Sequence, residues 1–144
     1  KLLILSSSDD IYSTMDLAML DLVQGTARFI KIGAPHSYLV GEGGMRKLRA
    51  GSLPMGILEE YEPIFYEAKL QAEDTILMFT DGIADMEDSD DALHAAIRRA
   101  GRLRNAQEAA EAILDAAKRA GGGVAGDDMT VLAARITRPG GKAA

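Results

Sequence analysis

The sequence contains no cysteine. That excludes a disulfide scaffold, a thiolate metal site and a cysteine nucleophile, and it fits a reducing cytoplasm. Positive charge is also short: 16 Lys and Arg stand against 22 Asp and Glu, a net −6. Such a balance argues against broad binding to nucleic acid or to anionic membranes, which would repel it. No apolar run approaches the ~20 residues of a membrane span. The opening KLLILSSSDD has an apolar stretch too short for a signal peptide. There is no internal repeat.

What remains is one domain's worth of chain, 144 residues, of which 47% are hydrophobic. A chain of that length can bury roughly two-thirds of its unfolded surface, so it can build a real core, and the composition argues against intrinsic disorder. It begins at Lys1, not at Met, and on apolar residues. Exposed termini are usually polar, so the sequence is expected to be a piece of a larger protein.

Strands dominate the first 80 residues. YSTMDLAMLDL (12–22) and ARFIKIG (27–33) flank Gln24-Gly25 and read as a hairpin. SYLV (37–40) and MRKLR (45–49) flank Gly41-Glu42-Gly43-Gly44, a second hairpin. IFYEAKL (64–70) alternates, with Ile64, Tyr66, Ala68 and Leu70 on one face and Glu67 and Lys69 on the other. TILMFT (75–80) is apolar without alternation, the mark of a strand covered on both faces. Two helices follow. Ser89 is expected to cap the first, with Leu93, Ala96, Ile97 and Ala100 as its stripe. Asn105 caps the second, with Glu108 at the capping-box position and Ala109, Ala112, Ile113, Ala116 and Ala120 on one face. MTVLAARI (129–136) closes the chain as a strand. Hairpins, a helix pair and a last strand are not a βαβ pattern.

Two carboxylate sites stand out. Asp81-Gly82 follows the buried strand TILMFT, and Gly126-Asp127-Asp128 precedes MTVLAARI. If those strands are antiparallel neighbours, both sites meet at one rim. Carboxylates at close range repel and are relieved by protonation or a hard divalent cation. All-oxygen donors favour Mg²⁺ or Mn²⁺. Asp-Gly is also a common turn, and acids at strand ends are usually just solvated, so both readings stand here. The stretch from Asp81 to Asp91 holds six acids and no base. Its part from Glu87 to Asp91 reads as a solvated loop, and Asp85 is ambiguous. His36 reads as structural and His94 as exposed. Arg98, Arg99, Arg102 and Arg104 read as a wet helix face, and the seven Met as core filler. Ser6, Ser7 and Ser8 have no His and carboxylate beside them that would make a nucleophile.

FTDGIAD and GDDMTV resemble the last two metal-binding motifs of the protein phosphatase 2C-type, metal-dependent serine/threonine phosphatases. More narrowly, YSTMDLAMLDL, ARFIKIGAPHSYLV, SLPMGILEE and those two motifs resemble the C-terminal part of the phosphatase domain of the stage II sporulation protein E family. The resemblance runs from about Ile11 to Ile136.

The resemblance implies an α+β fold, an α-β-β-α sandwich of antiparallel sheets flanked by helices. It implies two Mn²⁺ or Mg²⁺ ions held by aspartates, which acidify a bridging water for in-line attack on a phosphoserine. Asp81 and Asp127 match metal ligands, and Asp128 stands where many relatives carry Asn. No further catalytic residue is assigned. The family's bridging aspartate, on an early Asp-Gly strand, has no match; Asp16 and Asp21 are early strand carboxylates, and neither precedes Gly. Residues 1–137 are therefore expected to be the C-terminal portion of a catalytic domain and 138–144 a flexible tail. The implied substrate is a phosphorylated anti-anti-sigma-type protein, in sporulation or sigma-factor control of a bacterium. A cytoplasmic location is expected, with any membrane anchor outside this segment and no nucleic-acid partner. The isolated piece is expected to hold metal weakly, to be inactive and to self-associate as a dimer through uncovered sheet edges. A haloacid-dehalogenase-type reading is rejected, because its second Asp would fall at position 83, which is Ile. A non-enzymatic protein-binding module is the alternative, and it would need no divalent ion.

Overall fold

Alternation and turn chemistry produce seven strands and three helices in a computed structural model that describes residues 12–49, 51–57, 63–87, 90–122 and 127–137. The strands are β1 (Met15–Asp21), β2 (Thr26–Ile32), β3 (Ser37–Gly41), β4 (Gly44–Leu48), β5 (Ile64–Lys69), β6 (Thr75–Phe79) and β7 (Val131–Arg135). The helices are α1 (Asp81–Glu87), α2 (Asp91–Ala100) and α3 (Ala106–Ala120). The architecture is α+β, with two antiparallel sheets. Expectations placed on Ser6, Ser7, Ser8, Gly126 and the tail 138–144 lie outside the described residues. Among the described residues no helix is long and apolar enough to cross a membrane.

The chain forms two compact units. The first comprises residues 1–35 and 49–69 and contains the sheet ordered β1-β2-β5. The expected first hairpin is there, with Met15 opposite Ile32 and Asp21 opposite Thr26. Its turn needs Gly25, whose φ of 63° lies where side chains are disfavoured. Asp21 closes the same turn, its Oδ1 accepting from the amides of Val23 and Gln24. Strand β5 alternates as its sequence requires, with Phe65, Glu67 and Lys69 exposed. Asp16 is engaged by Lys31, whose Nζ donates to its Oδ2 at 2.6 Å and to the Pro35 carbonyl at 2.7 Å. Its carboxylate therefore serves to neutralise a fully buried lysine.

The second unit comprises residues 36–48 and 70–144. Its sheet runs β4-β3-β6-β7, all antiparallel. Strand β6 sits between β3 and β7, which explains why TILMFT carries no polar face: Thr75, Ile76, Leu77 and Phe79 are all buried. Helices α2 and α3 bury Leu93, Ile97, Ala100, Ala109, Ile113 and Ala117 in one cluster with Tyr38, Val40, Leu77, Phe79 and Ile83.

Three helix details correct the sequence reading. The cap of α2 is Asp90, which is extended, and its Oδ1 accepts from the amides of Ala92 at 2.8 Å and Leu93 at 2.9 Å; Ser89, the expected cap, lies outside the described residues. Asn105 caps α3 as expected, accepting from the amides of Gln107 and Glu108. On α3 the buried face turns through Ala117, and Ala120 is exposed in the last turn. Most importantly, Asp81–Glu87 is a helix, so two predicted helices become three.

Candidate metal-binding site

β6 and β7 are antiparallel neighbours, with Phe79 opposite Val131. The end of one strand therefore lies beside the start of the other, and Asp81 and Asp127 leave the sheet at the same rim. Backbone bonding ties the two exits. The Thr80 amide donates to the Thr130 carbonyl at 3.2 Å. The Thr80 hydroxyl donates to the Asp128 carbonyl at 2.9 Å and accepts from the Thr130 amide at 2.9 Å. The hydroxyl of Thr80 thus staples the Asp127-Asp128 turn to the start of α1.

Gly82 brings the two segments into closer contact. A Cβ placed there would sit 2.5 Å from the Asp128 carbonyl oxygen and 3.4 Å from the Asp127 carbonyl carbon. The space a side chain would fill is taken by the opposing backbone. The sequence reading of Asp81-Gly82 as a possible plain turn gives way to a different role: Asp81 opens a helix, and Gly82 lets that helix abut the turn. Asp81 and Asp127 are exposed. Each carboxylate accepts from the next residue's amide, Asp81 from Gly82 at 3.0 Å and Asp127 from Asp128 at 2.7 Å. Exposed carboxylates are oxygen ligands of the kind that suit a hard divalent cation. Among the described residues, no group of three or more His, Asp or Glu side chains is arranged to hold an ion.

The residue that sequence reasoning missed is Glu87. Expected in a solvated loop, it is instead 4% exposed at the C-terminal end of α1. The Tyr38 hydroxyl donates to its Oε1 at 2.8 Å, and the Lys47 ammonium to its Oε2 at 3.1 Å. His36 Nε2 lies 3.0 Å from Oε2, and His94 Nδ1 meets Oε1. His94 is therefore a partner of the buried carboxylate and not a free surface residue. The signal available in the sequence was one acid at helical spacing from Ile83 and Ala84, and the surrounding acids masked it. The four arginines, by contrast, are exposed as expected.

Burial by itself would raise the pKa of Glu87, but hydrogen bonds from His94, Tyr38 and Lys47 outweigh it and hold the carboxyl below its ordinary 4.5. A depressed acid stabilises the fold above its unfolded pKa, and that contribution is lost as pH falls through the folded one. The second unit should therefore lose stability on acidification below about pH 4.5. Glu87→Gln should flatten that limb of a melting-temperature profile measured from pH 7 downward. An unchanged acid limb in the variant would count against the assignment.

The chain matches the family model described as stage II sporulation protein E over residues 1–137. It is 35% identical over 138 residues to the stage II sporulation protein E of Priestia megaterium, covering 94% of this chain and 24% of that protein. Among solved structures, it is similar to the manganese-presoaked phosphatase domain of the cell fate determinant SpoIIE from Bacillus subtilis. The TM-score is 0.75 at 28% identity, over 98% of this chain and 64% of that one. It is also similar to a structure of the protein phosphatase 2C domain with a fragment of the regulatory domain of the same determinant. There the TM-score is 0.77 at 31% identity, over 94% of this chain and 42% of that one.

Proposed function

The chain belongs to the stage II sporulation protein E family, and from that premise we propose that it contributes metal ligands to a metal-dependent phosphoprotein phosphatase acting on phosphoserine. The observation that carries this reading is the pairing of β6 with β7, which delivers Asp81 and Asp127 to one rim stapled by Thr80. Asp81 and Asp127 would hold Mn²⁺ or Mg²⁺, two ions in the complete domain. When bound, such ions supply an acidified water and stabilise the charge that develops on the phosphoryl group.

The chain's own residues prepare that site. Thr80 holds the Asp127-Asp128 backbone against the start of α1. Gly82 lets the Asp127-Asp128 backbone approach α1 closely. Asp128 presents its carbonyl to Thr80 and leaves its carboxylate outside, which favours a supporting role. The proposed substrate is an anti-anti-sigma-type phosphoprotein of sporulation or sigma-factor control; family membership supports it.

Two carboxylates retain a hard ion weakly, because Mg²⁺ dehydrates reluctantly and needs several charged oxygens. Residues 1–144 alone should accordingly show little or no activity. Strand β1 ends the described sheet of the first unit and exposes Leu17, Met19 and Leu20. Unpaired apolar edges pair with what they meet, so the isolated chain should self-associate, as a dimer.

The test is hydrolysis of a phosphoserine protein by the full-length protein under millimolar Mn²⁺, with and without a chelator, beside the isolated 144 residues examined by light scattering. Activity in the full-length protein that survives chelation would refute the metal-dependent reading. No hydrolysis by it under any divalent ion would favour a binding module.

A further inference from the structure

We propose that Glu87 is the positioning residue for Asp81: its buried carboxylate anchors the far end of the short helix that carries Asp81 to the rim. The proposal rests on the reading of Asp81 as a metal ligand.

Helix α1 has seven residues. Isolated helices shorter than about 12 residues are marginal in water, so its position must come from tertiary contacts. Near its start, the amides of Ile83 and Ala84 both donate to the Thr80 carbonyl, at 3.1 and 3.2 Å. Ile83 and Ala84 are buried, which fixes the helix's depth. These contacts hold the start of the helix and leave its C-terminal end to other partners. A buried apolar side chain tolerates rotation and small slides, because its interactions are not directional.

Glu87 supplies the directional constraint. It is held from β3 by Tyr38, from β4 by Lys47 and from α2 by His94, with His36 Nε2 of the segment before β3 at 3.0 Å. Tyr38 is itself held in an edge-to-face aromatic arrangement with His36, Phe79 and His94. A buried carboxylate is costly to leave without its partners, so displacing the end of α1 that carries Glu87 is opposed. A charge with several partners is a stronger device than packing requires at this place, and its consequence is a fixed axis for the helix that begins at Asp81.

The experiment uses the full-length protein and two readouts that do not depend on turnover. The first is amide hydrogen exchange at Ile83 and Ala84. The second is direct Mn²⁺ binding by calorimetry. Glu87→Gln keeps the side-chain volume and removes the charge. It should speed exchange at those two amides at least tenfold while the amides of β6 stay protected. It should also weaken Mn²⁺ binding by ~10- to 100-fold, the usual range when a group that orients a ligand is lost. If Glu87→Gln does not fold, His94→Gln, at a partly exposed position, should show the same pattern in smaller degree. Unchanged exchange at Ile83 and Ala84 overturns the anchor. Faster exchange with unchanged Mn²⁺ binding overturns the positioning role. The failure of the underlying reading has a separate signature: Asp81→Asn would then leave Mn²⁺ binding untouched, and the functional half of the proposal would fall with it.

Discussion

Asp81→Asn in the full-length protein should lower phosphoserine hydrolysis by more than ~100-fold, since changing even the groups that orient a metal ligand typically costs 10- to 100-fold. The substitution keeps the size of the side chain and its ability to accept from the Gly82 amide. What it removes is the charge that would hold a divalent ion. Asp81 is exposed and outside the apolar cluster, so the melting temperature should hold. Exposed substitutions away from such features stay within about 0.5 kcal/mol. The measurement is kcat at saturating Mn²⁺ alongside thermal unfolding. Near-normal turnover would remove Asp81 from the site. An inactive variant that also unfolds would mean the residue serves the fold and not the chemistry.

The second large effect is expected at Gly82. Alanine there would place its Cβ 2.5 Å from the Asp128 carbonyl oxygen, closer than real Cβ atoms come. The obstacle is backbone, so it cannot swing aside as a long side chain would. Either α1 or the Asp127-Asp128 turn must shift, and the Thr80 staple between them must stretch. Overpacking of this kind costs about 1–3 kcal/mol. Because the shift separates the two proposed ligand segments, Gly82→Ala should lose Mn²⁺ binding as well as stability. Gly43→Ala is the matched control, since a Cβ there meets nothing within 4 Å. Both variants are to be compared by thermal unfolding and by Mn²⁺ titration. Equal behaviour of the two would show that the close approach at Gly82 is not what holds the rim together.

The sheets and the two longer helices were legible in the sequence because each carries a local signal. Alternation marked β5, an unbroken apolar run marked β6 as covered on both faces, and Asn105 marked the start of α3. That β6 and β7 are neighbours stood in the sequence only as a condition, and their pairing in the folded chain supplies it. The family, too, was legible, from motifs spread along nearly the whole chain. Three other features were not. Helix α1 lies in an acidic stretch whose composition favours a loop, and it is too short to be stable on local propensity; burial of Ile83 and Ala84 stabilises it. The cap of α2 fell to Asp90 because backbone geometry, not residue type alone, selects among adjacent capping residues.

Glu87 shows the division most clearly. It lies in an acidic stretch, and a charged residue among acids is ordinarily solvated. Its partners Tyr38, Lys47, His36 and His94 come from other parts of the chain and meet only when the second unit folds. Local pattern determined the strands and the two longer helices, and that Asp81 and Asp127 flank strands. Only tertiary structure decided which acid is buried, because the free energy of burying a charge depends on partners that sequence proximity does not supply.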